Sequence, residues 1–300
     1  MLVLLSIIKK AKSIFLWGIF STVSLPFYVS AENNELVVRY NQFTLFANDS
    51  AQQYFSSLLK LALDETSHDF GPYLLSPVDI DMVQQRTISM LQANKVIDVL
   101  WTVTSNEREQ TMQAVYIPLL KGLMGTRIFL IRKKEQYRFN NIKTMEDLYL
   151  LTAGQGDNWP DTQIIKENKL PVQTAKAELL YYMLAKKRFD YFPRAATEIQ
   201  KEASQYPEFV IENNLMLNYL SPIYFFVNKD NPQLAVRIET GLLRAIENGR
   251  FDKLFRKANN IEHLSTQLNL TKRRVFKLEN SIVSNKTKAI QHEAKFWLFQ

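Results

Sequence analysis

Apolar and polar positions follow two different rhythms along the first third of the chain. ELVVRY (35–40), GPYLLSPV (71–78) and KVIDVLWTV (95–103) are short apolar runs bounded by polar or turn residues, which is typical of strands. Residues 49–66 and 81–94 instead carry apolar positions three and four apart, as an amphipathic helix does. Strands alternating with helices of this length predict parallel βαβ units.

A second module of the same kind follows. Proline and glycine between apolar residues at 115–125 predict a crossing between modules, and TRIFLIRK (126–133) then predicts a strand. Further strand and helix patterns continue to about residue 218. SPIYFFVNKDNP (221–232) predicts a strand and a turn before a long helix, which returns the chain to the first module.

The N-terminus stands apart from both modules. Lys9, Lys10 and Lys12 precede an apolar segment, residues 13–31, that ends in the small residues Ser30 and Ala31. This pattern predicts a signal peptide, residues 1–31, and a periplasmic protein. An uncleaved membrane anchor is the alternative, because the segment approaches the roughly 20 residues that span a bilayer.

Composition narrows the function classes. The 300 residues include no cysteine, which excludes disulfides, thiolate metal sites and a lipid-anchored cysteine. The formal net charge is +7, of which the three N-terminal lysines supply part, and the remaining basic residues are scattered. A nucleic-acid partner is therefore not expected.

Four stretches in order carry a resemblance to a known family: MLQANKVIDVLWTVTSNERE (90–109), IPLLKGLMGTRIFLIRK (117–133), TMEDLYLLTAGQGDNWPDT (144–162) and the run from Ser221 to Phe255. Together they resemble type II periplasmic solute-binding proteins, specifically extracellular solute-binding family 3, the amino-acid binders. The resemblance spans about residues 35–257.

The resemblance implies an α/β fold of two lobes, joined by two hinge crossings, that close on a ligand. Lobe 1 would comprise residues 35–120 and 222–260, and lobe 2 residues 121–221. Residues 261–300 would form a C-terminal arm packed against the body through Phe276, Trp297 and Phe299.

WTVTSNER (101–108) predicts the first part of a binding site. Thr102, Thr104 and Ser105 follow a predicted parallel strand, whose carboxyl end is where open α/β sheets bind ligands, and hydroxyls there can donate to an anion. Arg108 offers a planar fork for a carboxylate, and the resemblance places the family's carboxylate arginine at this residue. An ion pair of Arg108 with Glu107 or Glu109 is the structural alternative.

GQGDNWPD (154–161) predicts the second part. Its glycines permit close backbone approach, and the helix that it opens attracts anions. Trp159 would stack on a ligand or cover the helix start. Asp157 and Asp161 are expected to cap the helix, with Asp157 also able to contact a cationic group.

FDYFPRAAT (189–197) departs from the amino-acid binders. Asp190 matches the family's strand aspartate, but the aspartate that holds the ligand's amino group is missing, and Arg194 and Ala195 lie there instead. Arg194 together with Arg108 would favour a dicarboxylate. The alternative for Arg194 is a structural pair with Glu198.

The remaining candidate residues give weaker indications of a ligand contact or a catalytic role. Tyr40 ends the first strand and would line the cleft or belong to the core. The three histidines are isolated, and no nucleophile or phosphate-binding motif occurs, so catalysis is not expected. Asp98, an acid inside an apolar strand, is expected to be a structural hydrogen-bonding group.

These patterns predict an exported, monomeric solute-binding protein without a cofactor. Its ligand would be a small polar or anionic molecule, such as an amino acid or an organic acid. A membrane permease of the ABC-transporter type or a membrane sensor would be its partner. The alternative is an interaction protein that keeps the fold and has lost ligand binding.

Overall fold

The computed structural model describes residues 35–42, 50–79, 84–157 and 159–298, and the predicted signal peptide lies outside them. Two separate β-sheets organise these residues. The strands are β1 Leu36–Gln42, β2 Tyr73–Asp79, β3 Val99–Val103, β4 Gln113–Val115, β5 Thr126–Arg132, β6 Ala153–Gly156, β7 Val172–Ala175, β8 Tyr191–Ala195, β9 Phe209–Asn218, β10 Ile223–Val227 and β11 Arg274–Lys277.

The helices connect these strands and cover both sheets. They are α1 Ser50–Asp64, α2 Ser67–Phe70, α3 Gln84–Gln92, α4 Asn106–Thr111, α5 Gln136–Asn140, α6 Met145–Leu148, α7 Pro160–Glu167, α8 Ala177–Ala185, α9 Ile199–Gln205, α10 Pro232–Glu247, α11 Arg250–Ala258, α12 Ile261–Leu268 and α13 Asn285–Ala289.

The first sheet has the order β2-β1-β3-β10-β4. β1 pairs in parallel with β2 and β3, as the alternating patterns predict, whereas β10 returns from the second module and runs antiparallel to both of its neighbours. One face of the sheet packs on α1, α10 and α11 through residues such as Val99 and Phe225. The other face packs on α3 through Leu100 and Phe226.

The second sheet has the order β11-β9-β5-β8-β6-β7. β5 is buried along its whole length because it lies inside the sheet and is covered on both faces. Its Ile128 and Leu130 face the core that contains α8, and its Phe129 and Ile131 face the core that contains α7. The parallel pairs β6–β7 and β6–β8 place the carboxyl ends of these strands at one edge.

Two crossings join the sheets, and a glycine lets them approach each other. A Cβ atom on Gly125, just before β5, would lie 1.8 Å from the carbonyl oxygen of Tyr219 in the second crossing. The Tyr219 N–H also donates to the Gly125 carbonyl at 3.1 Å. Only glycine fits at position 125, because any side chain there would collide with the second crossing. The last glycine of PLLKGLMG (118–125) therefore has a steric role in the first crossing.

The C-terminal arm contains regular elements. α12 continues the helical body, and β11 adds a parallel edge strand to β9. Phe276 is buried in the second sheet's core, and Trp297 packs on Gly122 in the first crossing. Phe299 lies outside the described residues.

Candidate functional site

The end of β3 leads directly into α4, and a serine fixes that junction. Ser105 has an extended backbone and its hydroxyl accepts from the Arg108 N–H at 3.2 Å, which is the usual action of an N-cap serine. The Ser105 hydroxyl predicted to face a ligand therefore begins the helix that carries Arg108.

The Arg108 guanidinium turns back toward β3. Its Nη1 donates to the Thr102 hydroxyl at 2.7 Å and to the Val103 carbonyl. Burial lowers the pKa of Arg108, and the negative charge of Glu107 offsets only part of that effect. Arg108 and Thr102 are thus in contact with each other, and their ligand roles stay predictions.

Thr104 has a different partner. It is 1% exposed, and its hydroxyl donates to Glu109 Oε1 at 2.6 Å. Glu109 also accepts from the Thr287 hydroxyl at 2.7 Å, from the Tyr116 hydroxyl at 3.0 Å and from the Ser284 hydroxyl. A ligand contact by Thr104 would require its bond to Glu109 to break.

The β6–α7 turn places Trp159 and Asp157 side by side but in different surroundings. The Trp159 ring lies over Gly156, where a Cβ would approach it to 2.5 Å, and stacks on Phe192 with ring centroids 6.2 Å apart. Asp157 is exposed, and among the described residues its carboxylate makes no hydrogen bond or ion pair. Asp157 does not cap α7, and its predicted contact with a cation stays a prediction.

The expectation that Asp161 caps α7 is wrong. Its carboxylate pairs with Arg127 at 2.6 Å and accepts from the Tyr219 hydroxyl, while no side-chain cap is present on this helix. Arg127 Nε in turn donates to the Tyr219 hydroxyl at 2.7 Å. This largely buried triad fixes the start of α7 to β5 and to the second crossing.

Arg194 is held by two carboxylates. Its Nε and Nη2 contact Glu202 at 2.7 and 2.5 Å, and Nη2 contacts Glu198 at 3.1 Å. Its guanidinium carbon also lies 5.1 Å from the Trp159 ring centroid and 4.8 Å from that of Phe192. Burial lowers the pKa of Arg194, but the bonds to Glu202 outweigh it and the pKa is raised. These contacts agree with the alternative that Arg194 forms a structural ion pair with Glu198, and they add Glu202. Anion binding by Arg194 stays a prediction.

Tyr40 and Asp98, two further residues of the first sheet, contact other parts of the protein. Tyr40 is 9% exposed and packs in the core beside Trp101, with ring centroids 6.0 Å apart. Asp98 accepts from the Arg39 N–H at 2.8 Å and from its guanidinium at 2.9 and 2.7 Å. Asp98 therefore joins the start of β3 to β1, which is the hydrogen-bonding role expected of it.

A cavity of about 820 Å³ lies where the ends of β3 and β6 face each other. Its volume is in the range of small-molecule sites. Of the eight predicted site residues, Ser105, Asp157 and Trp159 line this cavity. The full lining is Ser105, Asn106, Glu107, Asp157, Trp159, Pro160, Thr162, Gln163, Lys166, Glu167, Ser281 and Ile282.

The wall of this cavity carries more acid than base. Glu107 approaches from the first sheet, and Asp157 and Glu167 approach from the second, with Lys166 as the basic residue. Ser281 and Ile282 come from the C-terminal arm, which sequence reasoning did not place at the site. Across the described ranges, no group of three His, Asp or Glu side chains is arranged to hold a metal ion, and no helix could span a membrane.

Comparison with known proteins gives a structural similarity. No family model matches the chain, and no curated protein matches it. An arginine-specific periplasmic binding protein of Salmonella typhimurium superposes with a TM-score of 0.51 at 14% identity, covering 74% of this chain and 98% of its own. The chain therefore has the two-lobed fold of type II periplasmic binding proteins, and that prediction is confirmed.

Two more solved structures resemble the chain at lower scores. One is an amino-acid ABC transporter substrate-binding protein of Streptococcus pneumoniae bound to L-arginine, at TM-score 0.48 and 13% identity, covering 75% of this chain and 94% of its own. The other is the GluR0 ligand-binding core of Nostoc punctiforme with L-glutamate, at TM-score 0.46 and 16% identity, covering 74% and 98%.

Proposed function

We propose that this protein is an exported solute-binding protein that captures a small polar, carboxylate-bearing molecule between its two sheets. The observation that carries the proposal is the 820 Å³ cavity at the facing ends of β3 and β6. In open α/β sheets, ligands bind at the carboxyl ends of strands. The bound protein would deliver its ligand to a membrane permease or report it to a membrane sensor.

Arg108 is the proposed carboxylate receptor. It lies on the helix that begins at the cavity wall, two residues after Asn106, and its guanidinium can form paired hydrogen bonds with a carboxylate. The bond from Nη1 to Thr102 fixes the direction in which the side chain extends. A ligand carboxylate at this end would explain the hydroxyl-and-arginine pattern of WTVTSNER.

The rest of the ligand is proposed to carry a positive charge. Arg194 is neutralised by Glu202 and Glu198, so a second anion receptor is not supported there. Asp157 and Glu107, by contrast, bring carboxylates to the cavity wall. The similar Salmonella protein is described as arginine-specific, and arginine combines one carboxylate with cationic groups. A zwitterionic or cationic amino acid thus fits better than a dicarboxylate.

Mass spectrometry of the protein isolated from its exported fraction, without refolding, would identify a co-purified ligand. A thermal-shift panel of L-arginine, L-glutamate and succinate would then rank ligand classes. A true ligand at about 100 times its Kd stabilises the fold by about 2.7 kcal/mol. A gain from succinate alone would contradict the charge assignment, and no gain from any small molecule would contradict the binding function.

A second candidate is an interaction protein that no longer binds a solute. The observation in its favour is that part of the site is already filled by the chain itself: the Ile282 carbonyl accepts from the Asn106 N–H at 2.7 Å, and the Ser281 hydroxyl donates to Glu167. The same panel separates the two functions. An empty result in both the mass spectrum and the panel would favour this candidate.

A further inference from the structure

Residues 278–287, here called the C-terminal strap, begin on the second sheet. The Leu278 N–H donates to the Asn218 carbonyl at 2.9 Å at the end of β9. The side chain of Asn168 then holds the backbone of Glu279 by two bonds, of 2.9 and 2.7 Å. Ser281 adds its bond to Glu167 at the end of α7. The strap is therefore fixed to the second sheet before it reaches the cavity.

The middle of the strap runs beside the second crossing. Asn280 donates through Nδ2 to the Leu220 carbonyl at 2.7 Å, and its Oδ1 accepts from the Ile282 N–H at 3.1 Å. Leu278 and Val283 are 6% and 4% exposed. Buried apolar side chains on both sides of this turn mean that the strap is packed into the body rather than lying on its surface.

The far end of the strap is fixed to the first sheet. Ile282 accepts from the Asn106 N–H at the start of α4. Ser284 and Thr287 both donate to Glu109, which also holds Thr104 at the end of β3. Glu109 directly follows Arg108, and its bond to Thr104 reaches the residue before Ser105. The strap is thus joined to both ends of the segment from Ser105 to Arg108.

The arm finally reaches the first crossing as well. The Leu298 N–H donates to the Lys121 carbonyl at 2.9 Å, and Trp297 covers Gly122. The arm consequently contacts both crossings and both sheets. In two-lobed binding proteins, a few residues in the crossings absorb the rotation that opens the cleft.

We infer that the C-terminal strap is a third crossing that holds the two sheets at one separation, with Glu109 as a positioning residue for the segment from Ser105 to Arg108. Opening the cleft at this edge would detach the strap from one of the two sheets, by breaking its bonds either to Asn168 and Glu167 or to Asn106 and Glu109. Buried hydrogen bonds to a carboxylate are among the costliest to leave unmade. The inference about cleft motion is independent of the proposed function. Only the role of Glu109 in positioning Arg108 for a ligand rests on the proposed function.

The test measures the distance between the sheets directly. The chain contains no cysteine, so two introduced cysteines can carry a unique pair of spin labels. Suitable exposed positions are Gln92→Cys, at the last residue of α3, and Leu150→Cys, two residues after α6. Pulsed electron paramagnetic resonance on the ligand-free protein is expected to give one narrow distance distribution. A broad distribution in the protein with an intact strap would overturn the inference.

A strap variant and a matched control complete the design. Asn280→Ala, Ser284→Ala and Thr287→Ala together remove side-chain attachments of the strap, and the distribution is expected to broaden toward longer distances. Asn259→Ala, Ser204→Ala and Thr266→Ala remove the same groups from bonds made within or beside single helices. Equal distributions in the two triple variants would count against a third crossing.

Glu109 is tested by its own pair of variants. Glu109→Ala is expected to broaden the distribution as the strap variant does, whereas Glu109→Gln, which keeps one acceptor oxygen and the shape, is expected to remain close to the narrow form. An unbroadened distribution in Glu109→Ala would overturn the positioning role of Glu109.

Hydrogen exchange on the unaltered protein covers the case in which a variant does not fold. The Asn106 N–H, which donates to Ile282, is expected to exchange at least about 100-fold more slowly than an unstructured amide, because it opens only when the strap detaches. Exchange at the rate of a solvated loop would overturn the inference. Neither measurement uses a ligand, so a failure of solute binding would leave both results interpretable.

Discussion

Arg108 and Arg194 occupy corresponding places, each near the end of a strand in its own sheet, yet the described hydrogen bonds of their guanidinium groups differ. The bonds from Arg108 Nη1 go to the neutral oxygens of Thr102 and Val103. Arg194 is bound by the carboxylates of Glu202 and Glu198. Burial acts on both guanidinium groups, and it lowers the pKa of Arg108 whereas the carboxylates raise that of Arg194.

The difference shows that the role of an arginine near a strand end depends on the partners that the tertiary structure gives it. A buried cation with a carboxylate partner contributes mainly to the fold, because removing the cation leaves a buried negative charge behind. Trp159 adds to this in the second sheet by stacking on Phe192 and facing Arg194. The contacts of Arg194 with two carboxylates and two aromatic rings therefore assign it to the fold of the second sheet.

The largest expected effect is that of Arg194→Ala. This change leaves Glu202, which is 15% exposed, without its cation, and we expect a loss of about 3 to 5 kcal/mol in the free energy of unfolding. Urea denaturation measures it, with Lys201→Ala on the exposed face of α9 as the control. A loss below about 1 kcal/mol would show that the cluster is solvated and would weaken the comparison.

A second cluster of the second sheet gives an acid-dependent effect. The hydrogen bond from Arg132, with further help from Arg138, lowers the pKa of Glu135 from its ordinary 4.5 to about 2. Because the folded-state pKa is depressed, the stabilisation is complete above pH 4.5 and is lost as the pH falls toward 2.

Glu135→Gln should therefore cost about 1.5 to 3 kcal/mol at pH 7 and reduce the pH dependence of stability in that acid window. Denaturant melts at several pH values measure both quantities. Glu146→Gln, an exposed change on α6, is the matched control. An unaltered slope between pH 4.5 and 2 would assign the acid sensitivity to other carboxylates.

Arg108→Ala should have a smaller effect on stability. For the loss of the hydrogen bonds from Nη1 to Thr102 and Val103, we expect a decrease of about 1 to 2 kcal/mol in the free energy of unfolding. Affinity for a carboxylate ligand found by the panel should fall by on the order of 2 to 5 kcal/mol if the pair is desolvated. Arg86→Ala, at an exposed position of α3, is the control. Unchanged affinity would remove Arg108 from the site.

Asp157→Asn should change stability least. The carboxylate is exposed and has no partner among the described side chains, so the free energy of unfolding should stay within about 0.5 kcal/mol. Calorimetric titration with L-arginine, once binding is established, should show weaker affinity for the variant. An equal affinity would place the cationic group of the ligand elsewhere.

Much of the fold was predictable because hydrophobic periodicity is local. The patterns at 71–78, 126–133 and 221–232 predict β2, β5 and the strand-turn that starts α10. Short elements such as β4 and β7 were missed, because three or four residues contain too little periodicity. The predicted lobe boundaries remain predictions, although β10 does return to the first sheet as expected.

The position of the cavity followed from the predicted strand ends, whereas the side-chain partners of the predicted site residues did not. Ser105, Asp157 and Trp159 reach the cavity, as strand ends in a βαβ module should. The aspartate missing after FDYF was visible in the sequence, but Glu202 as partner of Arg194 was not, because ion-pair partners eight residues apart follow no repeating pattern. Only the closest alternative, Glu198, could be named in advance.

The sequence by itself determined the order of the longer strands and helices, the absence of thiol chemistry, and the junction where hydroxyls and an arginine follow a buried strand. These properties depend on neighbouring residues. The tertiary structure alone decided that Glu109 accepts from Ser284 and Thr287, 175 and 178 residues along the chain, and that the arm enters the cavity wall. Such partners are chosen by the packing of distant elements, which no local pattern encodes.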